Sequence, residues 1–177
     1  LLLLERENPE LALPDSPTKR VGSDLTNDFP EFEHSIPVLS LDKAYSKEEV
    51  LSFFSKSIQK DGDGLSFAAE EKIDGISIVL YYEDGILVRA VTRGNGEVGN
   101  DVTPNIMTIP TVPLSLPEPV DIAVRGEVYL SKREFERINK EIEDEKDRAA
   151  NPRNLAAGTV RRQKSSEAAR IPLDIFC

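Results

Sequence analysis

The residues in this chain best placed to do covalent chemistry are Lys72-Ile73-Asp74-Gly75. A lysine amine can act as a nucleophile, but to attack phosphorus at neutral pH it must first lose its proton. Burial or neighbouring cations provide the push. Leu65 to Glu71 and Ile76 to Tyr82 both read as strand, so the lysine is expected on rigid backbone at a sheet margin, with Arg93 and Asp74 as candidates for shaping its environment. Standing alone, Lys-x-Asp-Gly is more often the polar margin of an ordinary hairpin than a nucleophile.

Composition narrows the field. A length of 177 residues corresponds to about one domain. With 32 acidic against 22 basic side chains, the formal charge of −10 argues against indiscriminate binding to nucleic acid, so any such contact must be focused on a local basic face. The single cysteine, Cys177, excludes an internal disulfide and leaves no Cys/His set for a metal, which makes an intracellular compartment the default. The lone His34 reads as a structural hydrogen-bonding residue. Leu1 to Leu4 are too few to span a membrane and run straight into Glu5-Arg6-Glu7, as the cut end of an amphipathic helix would.

The elements that must position the lysine follow from periodicity. Residues 9–37 are Pro-rich and polar, a long ordered loop or linker. Ser46-Lys47-Glu48-Glu49 forms a capping-box pattern, and Val50, Phe53, Phe54 and Ile58 follow at helical spacing; a helix over 46–59 ends at Asp61-Gly62-Asp63-Gly64. Ile76, Ile78 and Leu80 alternate, Glu83-Asp84-Gly85 turns, and Ile86, Val88 and Ala90 resume the alternation. A glycine loop over 92–99 precedes a short helix at 101–107 with Pro104 in its first turn, then a proline-marked crossing segment. Val120 to Leu130 reads as a strand that puts Arg125, Glu127 and Tyr129 on one face. Ser131 and Glu134 cap a helix whose Phe135, Ile138 and Ile142 face the core, while Arg133, Arg137 and Lys140 form a solvated face. Asn151-Pro152 separates it from a third helix at about 154–163. The order predicts an α+β fold with antiparallel sheets and flanking helices.

Six segments, in order, resemble the adenylation domain of NAD-dependent bacterial DNA ligases. They are Asp15-Ser16-Pro17-Thr18-Lys19-Arg20-Val21-Gly22, His34-Ser35-Ile36-Pro37-Val38-Leu39-Ser40-Leu41-Asp42, Glu70-Glu71-Lys72-Ile73-Asp74-Gly75, Thr92-Arg93-Gly94-Asn95-Gly96, Arg125-Gly126-Glu127 and Asn151-Pro152-Arg153-Asn154-Leu155-Ala156-Ala157-Gly158. The resemblance implies the nucleotidyltransferase fold shared with ATP-grasp-like DNA ligases and mRNA capping enzymes. Residues 1–45 would be a helix end and ordered linker, and 46–177 a core incomplete at its C-terminal end.

It also implies a chemistry. Lys72 would attack the adenylyl phosphorus of NAD and carry AMP to the 5′-phosphate of nicked double-stranded DNA, with Mg²⁺ offsetting charge; Asp74 would orient the lysine or help place the metal. Ser40 and Leu41 would line the nucleotide pocket, Glu70 would accept from the adenine amino group, Glu127 would bind ribose hydroxyls and Arg93 would lie against the nucleotide. Arg153 and Arg161 match the arginines near the nick and would approach a phosphate from one side. Read without the resemblance, Glu127 is more readily the partner of Arg125 or Lys132 in a surface ion pair, and Ser40 a turn residue.

No membrane, no metal cage built by the protein alone and no obligate protein partner are expected; the setting is cytoplasmic. Asn95, Asn100 and Met107 stand where relatives often carry Asp, Glu and Arg. The nicotinamide-binding helices upstream and the later lysine segments are missing from the chain, so by itself it is expected to self-adenylate feebly or not at all. Two other readings stay open: a ligase-like module that holds adenine nucleotide or DNA without turnover, and an acidic protein-interaction domain.

Overall fold

Alternating apolar residues on two neighbouring segments, joined by two residues able to adopt positive φ, make a hairpin at the centre of the molecule. β2 (Ile76–Glu83) pairs antiparallel with β3 (Ile86–Thr92), with Glu83 opposite Ile86 across the turn. Asp84 (φ 49°) and Gly85 (φ 75°) supply the left-handed pair that a two-residue turn requires. A Cβ on Gly85 would lie 2.5 Å from the Glu118 carbonyl oxygen, so the position admits only glycine on two counts.

The computed structural model describes residues 2–8, 16, 29–62 and 64–177. The resemblance segment 15–22 lies outside them except for Ser16, as does the expected linker before Phe29. The described residues divide into two units, 1–38 with 73–177, and 39–72.

In the larger unit, β2 is flanked on its other edge by β5 (Ile122–Tyr129), which pairs with β6 (Asp174–Phe176); the order is β3-β2-β5-β6, antiparallel throughout. A second small sheet joins β1 (Glu31–Glu33) to β4 (Val98–Asn100). Besides α1 (Leu2–Glu7), the unit's helices are α3 (Thr103–Ile106), α4 (Lys132–Glu141), α5 (Pro152–Val160) and α6 (Ser165–Ala168). Ile78, Leu80 and Tyr82 of β2, Leu87 and Ala90 of β3 and Val128 of β5 pack with Val102, Ile106, Val112, Ala156 and Val160 into one core on one face of the sheet. The opposite face carries Ser77, Arg125, Glu127 and Tyr129, with Ser77 directly across from Glu127. This is the face the alternation of β5 predicts.

Several boundaries depart from the sequence reading. In β3 the buried residue is Leu87, whereas Val88 is exposed, because a register shift at Tyr81/Tyr82 inserts one extra residue and reverses the alternation beyond it. The third helix begins two residues earlier than expected. Asn151 is its cap, accepting from the Asn154 N–H at 2.8 Å, and Pro152 is its first residue, where a missing N–H costs nothing. Ile142 falls just past α4, although Phe135 and Ile138 do pack on the core. Arg137 of α4 donates to Glu134 and Glu141, as a solvated face should. His34 is structural: buried, its Nδ1 lies 2.7 Å from the Tyr81 hydroxyl and its Nε2 donates to the Thr92 carbonyl. In the glycine loop the Asn95 side-chain oxygen accepts from the Glu97 and Val98 N–H groups, so an amide does there what a carboxylate would do.

The unit of residues 39–72 is built on α2 (Lys47–Asp61), whose Ser46 cap accepts from the Glu49 N–H while Glu49 accepts from the Tyr45 N–H. Phe67 packs edge-on against Phe54, with ring centroids 4.6 Å apart. The strand expected over Leu65–Glu71 does not form. A strand exists through its ladder of backbone bonds, and these residues pair with no other segment among those described; Phe67 turns its apolar side to the helix instead. Among the described residues, no helix is long and apolar enough to cross a membrane.

Tyr82 offers a direct test of the core. Its hydroxyl donates to the Pro113 carbonyl at 2.9 Å, and burial, with a smaller contribution from the nearby Cys177 thiolate, pushes the phenol up to about 12. Its proton is therefore lost from the unfolded chain before the folded one, so its stabilising contribution is complete below about pH 10 and fades as pH rises toward 12. Urea denaturation midpoints should fall across that window, and Tyr82→Phe should show a shallower fall than the parent.

Candidate active site

Gly75 begins the site because only a residue without a side chain can occupy its place. A Cβ there would stand 2.0 Å from the Val128 carbonyl oxygen, so the backbone entering β2 lies directly against β5. That approach brings the Gly75 N–H to Glu127 Oε1, which accepts it at 3.2 Å. The glutamate is half-buried and makes no ion pair among the described residues, which sets aside the surface-pair alternative with Arg125 or Lys132. Arg125 Nε instead reaches the Ser77 hydroxyl at 3.3 Å. The Ser77 carbonyl in turn accepts from the Arg93 N–H at 3.0 Å, which ties the glycine loop to the same strand end.

Asp74 is exposed, and its Oδ1 accepts from Arg153 at 3.0 Å across 79 residues of sequence. An ion pair this open to solvent is worth little as a stabiliser. Its meaning is positional: it joins the residue before Gly75 to the first turn of α5. Arg161 caps the other end of that helix, about 12 Å along the axis. The Arg161 N–H donates to the Thr159 carbonyl, but its exposed guanidinium has no hydrogen-bond or ion-pair partner among the described residues, whereas neighbouring Arg162 bends back to donate to the Glu167 carbonyl at 3.0 Å.

A further polar group sits two residues along β5 from Glu127. Tyr129 donates to Asp174 Oδ2 at 3.1 Å, and Thr111 donates to Oδ1 at 2.6 Å. Burial opposes ionisation of Asp174, but the donors Thr111, the Ile175 N–H and Tyr129 together hold its carboxyl below the ordinary range; burial and then Asp174 push the Tyr129 phenol up. Tyr129 was placed on this face by alternation, but Asp174 lies 45 residues away and carries no local signal in the sequence.

Of the residues singled out in the sequence, the structure brings Arg153 to Asp74, and Glu127 to the Gly75 backbone. Arg93 and Arg161 belong to the same unit. Ser40, Leu41, Glu70 and Lys72 are exposed and lie in the unit of residues 39–72, which ends at Lys72 itself, one residue short of Ile73. Among the described residues no cluster of three or more His, Cys, Asp or Glu side chains is arranged to hold a metal ion.

The larger unit is thus a mixed α/β domain with antiparallel sheets, one face of which gathers carboxylates and guanidinium groups of the kind that recognise hydroxyls and phosphates. Residues 26–177 match the family described as the NAD-dependent DNA ligase adenylation domain, and the chain belongs to it. It is 53% identical over 173 residues to a DNA ligase of Borreliella afzelii (strain PKo) and 51% identical over 176 residues to one of Borrelia turicatae (strain 91E135). Each alignment covers 98% of this chain and 26% of the relative, so the chain spans about a quarter of the length of these ligases.

The Gly75 contact predicts a difference between two substitutions. Glu127→Ala removes the acceptor of a buried N–H and should cost about 1–2 kcal/mol in urea denaturation. Glu127→Gln keeps an oxygen acceptor and should cost less than half of that.

Proposed function

We propose that this chain is the part of an NAD-dependent DNA ligase that accepts and transfers adenylate, with residues 46–177 forming most of a nucleotidyltransferase core behind the 1–45 segment. Lys72 Nζ attacks the adenylyl phosphorus of NAD; the bond to nicotinamide mononucleotide breaks, and a lysine–AMP phosphoramidate remains. The AMP passes to the 5′-phosphate of nicked double-stranded DNA, and the 3′-hydroxyl then displaces it to close the strand. A covalent carrier divides one difficult condensation into three phosphoryl-type transfers.

The observation that carries this reading is the intact Lys72-Ile73-Asp74-Gly75 within a chain whose match to the adenylation family runs over residues 26–177. The local geometry agrees with it. Glu127 spends one oxygen on Gly75 and has Oε2 for a ribose hydroxyl, while Arg93 belongs to a loop tied to the same strand end. Ser40, Leu41 and Glu70 are read as lining the adenine side. Arg153 and Arg161 are read as meeting the nick, each presenting a planar donor fork suited to phosphate.

Mg²⁺ suits a site of this kind, because it takes most of its ligands from substrate phosphates and water and needs only one or two carboxylates. Asp74, exposed and with Oδ2 unengaged among the described residues, is the residue that would hold it, and the ion would supply charge neutralisation at phosphorus. With DNA as substrate, the setting is the cytoplasm, and the reading requires no membrane and no obligate protein partner.

In a full-length ligase carrying this domain, Lys72→Ala and Lys72→Arg should both fold yet gain no AMP-sized mass on incubation with NAD, because the guanidinium of arginine stays protonated and cannot attack. Intact-protein mass spectrometry reads the outcome. Wild-type labelling of either variant would remove Lys72 from the role.

A further inference from the structure

Asn105 is a buried polar residue that the sequence reading left unassigned. It stands in α3, is 3% exposed and is flanked by Val102 and Ile106, which are fully buried in the core. Its side-chain nitrogen donates to the Val160 carbonyl at 2.8 Å and to the Arg162 carbonyl at 2.7 Å, 55 and 57 residues away. The two carbonyls flank Arg161.

A helix C-terminus leaves its last carbonyls without intrahelical partners, and here one core side chain takes two of the carbonyls at the end of α5. The peptide between Arg161 and Arg162 is held too, since the Arg162 N–H donates to the Thr159 carbonyl at 3.1 Å. Three successive peptide planes, 160–161, 161–162 and 162–163, are therefore hydrogen-bonded, which tethers the backbone on both sides of Arg161. Arg162 is turned inward onto the Glu167 carbonyl, and Lys164 lies 3.8 Å from Glu167. Of the three side chains, that of Arg161 is exposed and has no partner among the described residues. Fixing the backbone beneath a charged donor removes one part of the cost of ordering it against a phosphate, and a misplacement of about 1 Å at such a group can cost on the order of a hundredfold in rate.

We propose that Asn105 is a positioning residue for the DNA step: it acts through Arg161, fixing that guanidinium where AMP is transferred to the 5′-phosphate of the nick, and has no part in the attack of Lys72 on NAD. The inference rests on the reading of Arg161 as a nick contact.

The test uses a full-length ligase carrying this domain, with self-adenylation from NAD and AMP transfer from the pre-adenylated enzyme to a nicked duplex measured separately. Asn105→Asp keeps the shape but sets an oxygen against two carbonyl oxygens; Asn105→Ser removes at least one of the two bonds with less disturbance and decides the matter if the first variant does not melt cooperatively. The expected result is self-adenylation within about twofold of the parent and AMP transfer slower by on the order of tenfold or more. Combined with Arg161→Ala, the Asn105 substitution should add nothing further to the transfer defect, because both act on one group. Equal loss in both steps, or a transfer defect that multiplies with that of Arg161→Ala, would overturn the positioning role while leaving the nick contact standing. Normal AMP transfer by Arg161→Ala alone would overturn the nick contact, and the role of Asn105 with it.

Discussion

The close approach of Gly75 to β5 is the constraint on which the rest of this domain depends. A Cβ would meet the Val128 carbonyl oxygen at 2.0 Å, so the last residue of the lysine tetrapeptide, where the chain enters the central strand, can only be glycine. Once it does, β2 and β5 are in register from Ile76 opposite Val128 to Tyr82 opposite Ile122, and the parity of every side chain on the two strands is decided. Ile78, Leu80 and Val128 go to the core; Ser77, Arg125, Glu127 and Tyr129 go to the charged face. The Glu127 carboxylate then meets the backbone N–H that the approach delivers to it. One steric requirement thus sets the contents of the core and of the site together.

Around that contact the fold distributes two kinds of polar work. Some groups are consumed internally: His34 holds the hydroxyl of Tyr81 and the carbonyl of Thr92, Asn105 holds the end of α5, and Asn95 closes the glycine loop on itself. Others keep capacity for something outside the chain. Among the described residues Glu127 retains an oxygen, Asp74 shares only one of its two, and the Arg161 guanidinium is unengaged. The second kind lies at strand ends and helix termini, where backbone is fixed by the core but side chains project into solvent, and that is where binding groups gain most from a rigid support.

Local chemistry was legible in the sequence and long-range pairing was not. The caps at Ser46 and Ser131, the Asp84-Gly85 turn, the proline in α3 and the face shared by Arg125, Glu127 and Tyr129 all follow from side-chain types within a few residues of one another. The strand expected over Leu65–Glu71 has no ladder partner among the described residues, and a local reading cannot supply one; Phe67 packs on a helix instead. Val88 was assigned to the wrong face because a one-residue bulge erases phase information that alternation needs. The candidate site residues come from motif resemblance and Tyr129 from alternation, while the contacts of Arg153 with Asp74 and of Tyr129 with Asp174 join segments with no local signal of each other.

The sequence separations of these contacts also order the assembly of the domain. The β2–β3 hairpin closes through a two-residue turn, whereas the contact between Gly75 and Glu127 spans 52 residues and that between Asp74 and Arg153 spans 79. Loop-closure entropy grows with the length enclosed, so the hairpin can form from local contacts alone, but the contacts of Gly75 and Asp74 wait for a distant strand and a distant helix to arrive. On the ribosome, the hairpin is complete in sequence when Thr92 has emerged, yet Gly75 must wait for Glu127 of β5 and Asp74 for Arg153 of α5. The chain therefore has a scaffold well before it has a site.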